Sequence, residues 1–210
     1  MSRPSVPVVD TMSVADWRHA LPVLCGPRVT LREMRASDVQ SLFPLLTVHD
    51  VSRFISPPPT TREGFERFIS WTLRQRQTGA YICFAVTLAG DDTAIGVFQL
   101  RELATGFRSA EWGFAVGSPF WGSGVFVEAA SLALTFAFDR LGVHRIEARA
   151  STQNGRGNAA LRKLGAVNEA VLRRSFHRGG EYIDQNLWTI VCDDWQVQSD
   201  WSRRGGSMMH

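Results

Sequence analysis

Cysteine is scarce in this chain of 210 residues: Cys25, Cys83 and Cys192 are few, odd in number and far apart. That usage excludes a disulfide framework and offers no metal-ligand spacing, so no metal is expected, and it suits a reducing compartment. Cys83 lies inside an apolar strand pattern and reads as a core residue, not a nucleophile. Long hydrophobic runs are missing too, which leaves no candidate signal peptide or membrane span; a cytoplasmic protein with no membrane partner is the expectation. A surplus of one charge is also absent. Lys plus Arg number 23 against 20 Asp plus Glu, for a net charge of +3. With no dense basic tract, a nucleic-acid partner is not expected. The densest basic group, Arg173, Arg174 and Arg178, reads as a solvated strand edge. There is no internal repeat and no low-complexity tract. What remains, 44% hydrophobic and 20% charged, is a soluble domain long enough for a full core.

The most informative stretch runs from Ser109 to Leu141. Ala110, Trp112, Phe114 and Val116 alternate with smaller or polar residues, the pattern of a strand within a sheet. Gly117, Ser118 and Pro119 end it. Gly122 and Gly124 then lead into a helix whose apolar face is Val125, Ala129, Leu132, Ala133, Phe136 and Ala137. Glycines at a helix start aim unpaired main-chain N–H groups at one point, at the positive end of the helix dipole. That is an anion site, most naturally for phosphate, and it points to a phosphate-bearing cofactor. No Lys-Ser/Thr pair follows the glycines, which excludes the nucleotide-binding P-loop.

Residues 1–27, with Pro4, Pro7, Pro22 and Pro27, read as an N-terminal extension holding at most a turn or two of helix at 14–21. Residues 28–195 read as one domain, and 196–210 as a polar tail. Within the domain a first strand is expected at 28–34, followed by a capping box at Ser37 and Gln40 that opens a helix burying Val39, Leu42, Phe43 and Leu46. A short piece at 50–55 stops at three prolines. Thr60 to Glu63 opens a helix with a stripe of Phe65, Phe68, Ile69, Thr72 and Leu73, closed by Gly79. Strands are expected at 81–88 and 94–101, around a turn at 89–92. After the central stretch come a strand at 144–150, a polar loop at 154–158, a short helix at 159–164, and strands at 167–176 and 181–191. The class is α/β (α+β).

Three local signatures in this order resemble the GCN5-related N-acetyltransferase (GNAT) superfamily, in its ribosomal-protein N-acetyltransferase branch. Phe120-Trp121-Gly122-Ser123-Gly124-Val125-Phe126 is similar to the loop that holds the pyrophosphate of coenzyme A in that family. Asn154, followed eleven residues later by Gly165, resembles its asparagine loop and Lys-Leu-Gly helix end. The closing hairpin around 181–188 is the third. The resemblance spans about 28–195 and implies a single-domain fold. Its mixed central sheet has about six to seven strands, flanked by helices and splayed at the central strand. It implies acetyl-CoA as cofactor and an amine acceptor, a protein N-terminus or a small molecule, and it leaves a homodimer open. Cofactor-binding positions implied are Phe114, Ala115, Val116, Trp121, Gly122, Ser123, Gly124, Val125, Phe126, Asn154 and Asn158. Small residues at 113, 115 and 117 would let a pantetheine arm pair with the central strand's main chain. They also permit plain packing. Phe126 stands where many members have glycine or alanine, and either narrows the pocket or packs outward. The Ser123 hydroxyl either joins the phosphate cradle or supports the turn.

Direct transfer from a thioester to an amine needs a base, oxyanion donors and an acid for the thiolate. The base expected is Glu111, similar in place to the strand glutamate of histone-type members; between aromatic neighbours its carboxyl would titrate high. The competing reading of Glu111 is a strand residue paired with Arg101 or Arg108. The oxyanion donor is a main-chain N–H near Ala115 or Val116. The sequence names no acid: Leu161 and Gly157 stand where the family has tyrosine or serine, leaving water, Ser175 or Tyr182. Of Trp71, Phe107, Trp112, Trp121, Phe176 and Tyr182, two or three should touch the acceptor. Glu102, Glu181 and Asp184 are candidates to attract its ammonium group. The alternative function is a non-catalytic acyl-CoA-binding module of the same fold.

Overall fold

The computed structural model describes residues 16–56 and 58–195. The N-terminal part of the presumed extension, residues 1–15, the first of the three prolines and the polar tail lie outside the described residues. Strands β1 (Leu24–Cys25), β2 (Val29–Glu33), β3 (Tyr81–Leu88), β4 (Ala94–Ala104) and β5 (Ser109–Val116) run into β6 (Arg145–Ser151), β7 (Val167–Arg178) and β8 (Glu181–Val191). Helices are α1 (Val39–Leu46), α2 (His49–Ser52), α3 (Arg62–Thr78), α4 (Val125–Asp139) and α5 (Gly155–Lys163). The eight strands form one sheet in the order β1-β2-β3-β4-β5-β6-β8-β7. The seven expected strands are present, and the short β1, paired with β2, is the eighth. It belongs to the stretch read as an extension, as do Trp17 and Leu21, both buried in the main core.

Alternation along β3 splits the core in two. Ile82, Phe84 and Val86 face a cluster built on α4, with Phe98, Trp112 and Ile146. Tyr81, Cys83 and Ala85 face a second cluster with Leu42, Leu46, Phe65 and Ile69 from α1 and α3. Period-2 strands between two helical layers give this arrangement directly. The helix α3 starts at Thr61, whose hydroxyl accepts from the Gly64 N–H at 3.0 Å, and ends at Gly79 in the left-handed region. The capping box expected at Ser37 does not form. Asp38 instead accepts the Arg35 N–H at 2.7 Å and two bonds from the buried Arg32 guanidinium. The helix α5 begins four residues before the expected start, because Asn154 caps it by accepting the Gly157 N–H at 2.9 Å.

The feature that positions the site is the junction of β5 and β6, the parallel pair of the sheet. They pair only at Ser109–Arg145, Ala110–Ile146 and Glu111–Glu147. Beyond Glu111 the strands part. Meanwhile β5 stays paired to β4 as far as Val116.

Candidate active site

A cavity of about 480 Å³ fills the gap left where β5 and β6 part. One wall is Phe114, Ala115 and Val116 of β5; the next is Trp121, Gly122 and Gly124, with Phe126 and Val127 of α4. The opposite wall is the start of α5 from Asn154, together with Arg156, Ala160 and Lys163. Asp50, Val51, Arg53, Phe54 and Ile55, in and after α2, close the far end. The cavity therefore passes through the sheet, from the α4–α5 layer to the α1–α3 layer.

Its main-chain lining follows from strand geometry. The Gly117 N–H donates to the Ile95 carbonyl of β4 at 2.9 Å. Because N–H and C=O of one peptide point opposite ways, the Val116 carbonyl faces the gap. Alternation then turns the N–H of Val116 and both main-chain groups of Phe114 to the gap, and the Ala115 N–H to β4. Of the two oxyanion donors left open by the sequence, only Val116 faces the cavity. The Val116 carbonyl is already taken, by the Trp121 indole N–H at 2.8 Å. The Arg156 guanidinium lies 4.0 Å from the Trp121 ring centroid and so links the glycine loop to α5.

At the loop, Gly122 and Gly124 have φ of +76° and +85°, which only glycine adopts without strain. Among the described residues, the N–H groups of Gly122, Ser123, Gly124 and Phe126 have no partner within the chain. They crown the start of α4 as a donor cluster, while Arg53, Arg156 and Lys163 supply positive charge around the same cavity. Donors and cations together fit the diphosphate of an acyl-CoA.

Not every expected residue reaches the cavity. The Ser123 hydroxyl donates to the Phe120 carbonyl at 2.6 Å and thus supports the turn. Val125 is buried in the core beneath the helix. Asn158 is committed elsewhere. Its Nδ2 donates to the Ser151 and Asn154 carbonyls, and its Oδ1 accepts from Asn186 Nδ2 and Trp188 Nε1. An amide with all four bonds made has nothing left for a ligand. Phe126 turns inward, its ring tilted by 48° to that of Phe114 with centroids 4.4 Å apart.

Glu111 does not sit among aromatic rings. Its carboxylate is ion-paired with Arg101 and lies 3.8 Å from Arg149 Nε, on the last rung before the strands separate. It shares a strand face with Gly113 and Ala115. A side chain at 113 would meet only Gln99, at 3.7 Å, so the surface between Glu111 and the cavity wall is open. Of the aromatics proposed for the acceptor, Trp121 lines the cavity, joined by Phe54, Phe114, Phe120 and Phe126. Glu102 and Asp184 accept main-chain N–H bonds. Asp50, not among the acids considered from the sequence, is the acid in the cavity wall among the described residues. Among the described residues no hydroxyl or thiol side chain lines it, and Ser175 and Tyr182 lie elsewhere.

Sequence reasoning also missed the brace behind the loop. Glu128 of α4 accepts the Arg28 and Val29 N–H groups at 2.7 and 3.1 Å and Arg28 Nε at 2.8 Å. Burial alone would raise the Glu128 carboxyl, but these bonds outweigh it and hold it below its ordinary value. Its partners lie a hundred residues away in sequence, so no local pattern announces them.

A parted parallel strand pair, a donor-rich loop at a helix start and a cavity crossing the sheet define a transferase. The profile described as an acetyltransferase (GNAT) domain matches residues 28–167, and the chain belongs to that family, whose members acetylate amines with acetyl-CoA. The chain is 29% identical to the uncharacterized N-acetyltransferase YoaA of Bacillus subtilis over 175 residues, 81% of this chain and 97% of that protein. It is 25% identical over 118 residues to the ribosomal protein uS5-alanine N-acetyltransferase of Escherichia coli, covering 56% of this chain and 61% of the relative. The fold matches that of Mycobacterium smegmatis RimJ in complex with CoA-disulfide, with a TM-score of 0.73, 22% identity, and coverage of 85% and 95%.

Proposed function

We propose that this N-acetyltransferase acts on the α-amino group of a protein or peptide N-terminus. The observation that carries the reading is the through-sheet cavity, which runs from the glycine loop to the residues after α2. An acceptor entering at the α2 end meets Asp50, whose carboxylate attracts an ammonium group, and the aromatic Phe54. The Arg178 side chain of the β7–β8 hairpin donates to the Ser52 carbonyl at 2.8 Å, which ties that hairpin to the same entrance. The relative that acetylates a ribosomal protein supports a protein amine over a small molecule.

Bound acetyl-CoA supplies the thioester carbonyl to be attacked. Gly122, Gly124 and Phe126 N–H groups would hold its diphosphate, and the main chain of Phe114 its pantetheine arm. The Val116 N–H is the donor for the oxyanion. Glu111 acts as base through water lying over Gly113. About 13 Å of strand separates Glu111 from Ala115, too far for direct transfer. With no hydroxyl side chain in the wall among the described residues, water protonates the departing thiolate.

The test is acetyl transfer to a panel of unblocked peptides and small primary amines, read by mass on the acceptor and by thiol release. Peptide N-termini should gain one acetyl group. Transfer confined to small amines would overturn the protein-acceptor reading. Coenzyme A binding without release for any acceptor would restore the non-catalytic alternative.

A further inference from the structure

We infer that Arg28, which lines no wall of the cavity, is the positioning residue that aims the Ser123–Gly124 peptide at the diphosphate of acetyl-CoA. This rests on the reading that the loop binds that group. Arg28 lies just ahead of β2. Its Nη1 donates to the Ser123 carbonyl at 3.0 Å, while its Nε is held by Glu128 at 2.8 Å. The peptide is planar and trans, so fixing the Ser123 carbonyl on the Arg28 side turns the Gly124 N–H to the opposite side. Gly124 lines the cavity on that side, and its N–H has no partner in the chain.

Without such a hold the peptide is free to turn. Turning it changes ψ of Ser123 and φ of Gly124, and Gly124, at a φ of +85°, is a glycine that crosses between the allowed regions at little cost. A flipped peptide would present a carbonyl oxygen, a partial negative charge, to a diphosphate. The Ser123 hydroxyl bonds to Phe120 and does not hold this peptide. The room for the brace is also built in. A Cβ at Gly124 would lie 2.9 Å from the Arg28 guanidinium, and one at Gly26 would lie 2.6 Å from Glu128 Oε1.

The test compares wild type, Arg28→Met and Arg28→Lys for binding of coenzyme A and of S-acetylpantetheine, which lacks the diphosphate, alongside thermal unfolding. Arg28→Met should weaken coenzyme A about tenfold or more, the scale of one charge-assisted hydrogen bond, and leave S-acetylpantetheine unchanged. In turnover it should raise KM for acetyl-CoA far more than it lowers kcat. Arg28→Lys, whose ammonium can still donate to the carbonyl, should recover part of the loss. Should Arg28→Met fail to fold, Glu128→Gln loosens the same guanidinium and should shift coenzyme A alone in the same direction. Equal loss for both ligands, or none for coenzyme A, would overturn the inference. A wild-type protein that fails to bind coenzyme A would instead remove the loop reading beneath it.

Discussion

Asn154 and Asn158 stand four residues apart and carry the same amide, yet the fold gives them opposite surroundings. Asn154 caps α5 and remains in the cavity wall. Asn158 is buried, and three of its four side-chain hydrogen bonds join α5 to β6 and β8. Its partners Asn186 and Trp188 lie about thirty residues on, so its spacing in the loop suggested a ligand contact that the packing rules out. Replacing it with Leu would strand the indole N–H of Trp188 and the Asn186 amide. Asn158→Leu should therefore cost about 2–4 kcal/mol in chemical denaturation. Glu111 is the other residue whose surroundings differ from those expected, an ion pair in place of aromatic neighbours. The pairing with Arg101 that competed with the base reading is present, and Arg149 adds to it. Glu111→Gln keeps an acceptor for Arg101 but removes the charge. It should leave coenzyme A affinity within about twofold and lower kcat by about 10²-fold or more. A pH–rate profile identical to wild type would exclude Glu111 as the base.

At the scale of elements, legibility tracked how local the cause was. The limits of β3, β5 and β8 follow from alternation and agree with the structure. The start of α1 does not: Ser37 makes no cap, and Asp38 accepts the Arg35 N–H while Arg32 of β2 holds its carboxylate. The anchoring of the closing hairpin is equally non-local. Arg145 of β6 makes two bonds to Glu169 of β7, at 2.9 and 2.6 Å, reaching across β8, whose Thr189 hydroxyl also donates to Glu169. The Arg145 guanidinium, with Thr189, holds the Glu169 carboxyl down at about 2. A carboxyl lowered on folding stabilises fully above its unfolded value near 4.5, and the contribution is lost as pH falls toward about 2. The pair is partly solvent-exposed and screened, so its worth is about 0.5–1 kcal/mol. Glu169→Gln should destabilise by that amount at neutral pH. It should also flatten the loss of stability between about pH 4.5 and 2, as read by denaturation at a series of pH values.

For the whole molecule, the sheet separates two apolar clusters, and the β5–β6 gap is where a ligand can touch both. Phe114 and Phe126 at the cavity pack against the first cluster, and Ala115 and Trp121 belong with the second. A ligand seated there reinforces both layers, and it binds the native state alone. By mass action, coenzyme A at a hundred times its Kd adds about 2.7 kcal/mol, which for a chain of this size raises Tm by roughly 5–10 °C. Lys163 makes the location of that effect readable, for it is the chain's only lysine and stands in the cavity wall. An amine-selective acylating label can therefore mark just Lys163 and the chain's own N-terminus. Coenzyme A should slow labelling of Lys163 at least several-fold while leaving the N-terminus unaffected, as measured by peptide mass after digestion. A rise in Tm without protection of Lys163 would place the cofactor outside this gap. Protection together with the rise would tie the stabilisation to the parted strands.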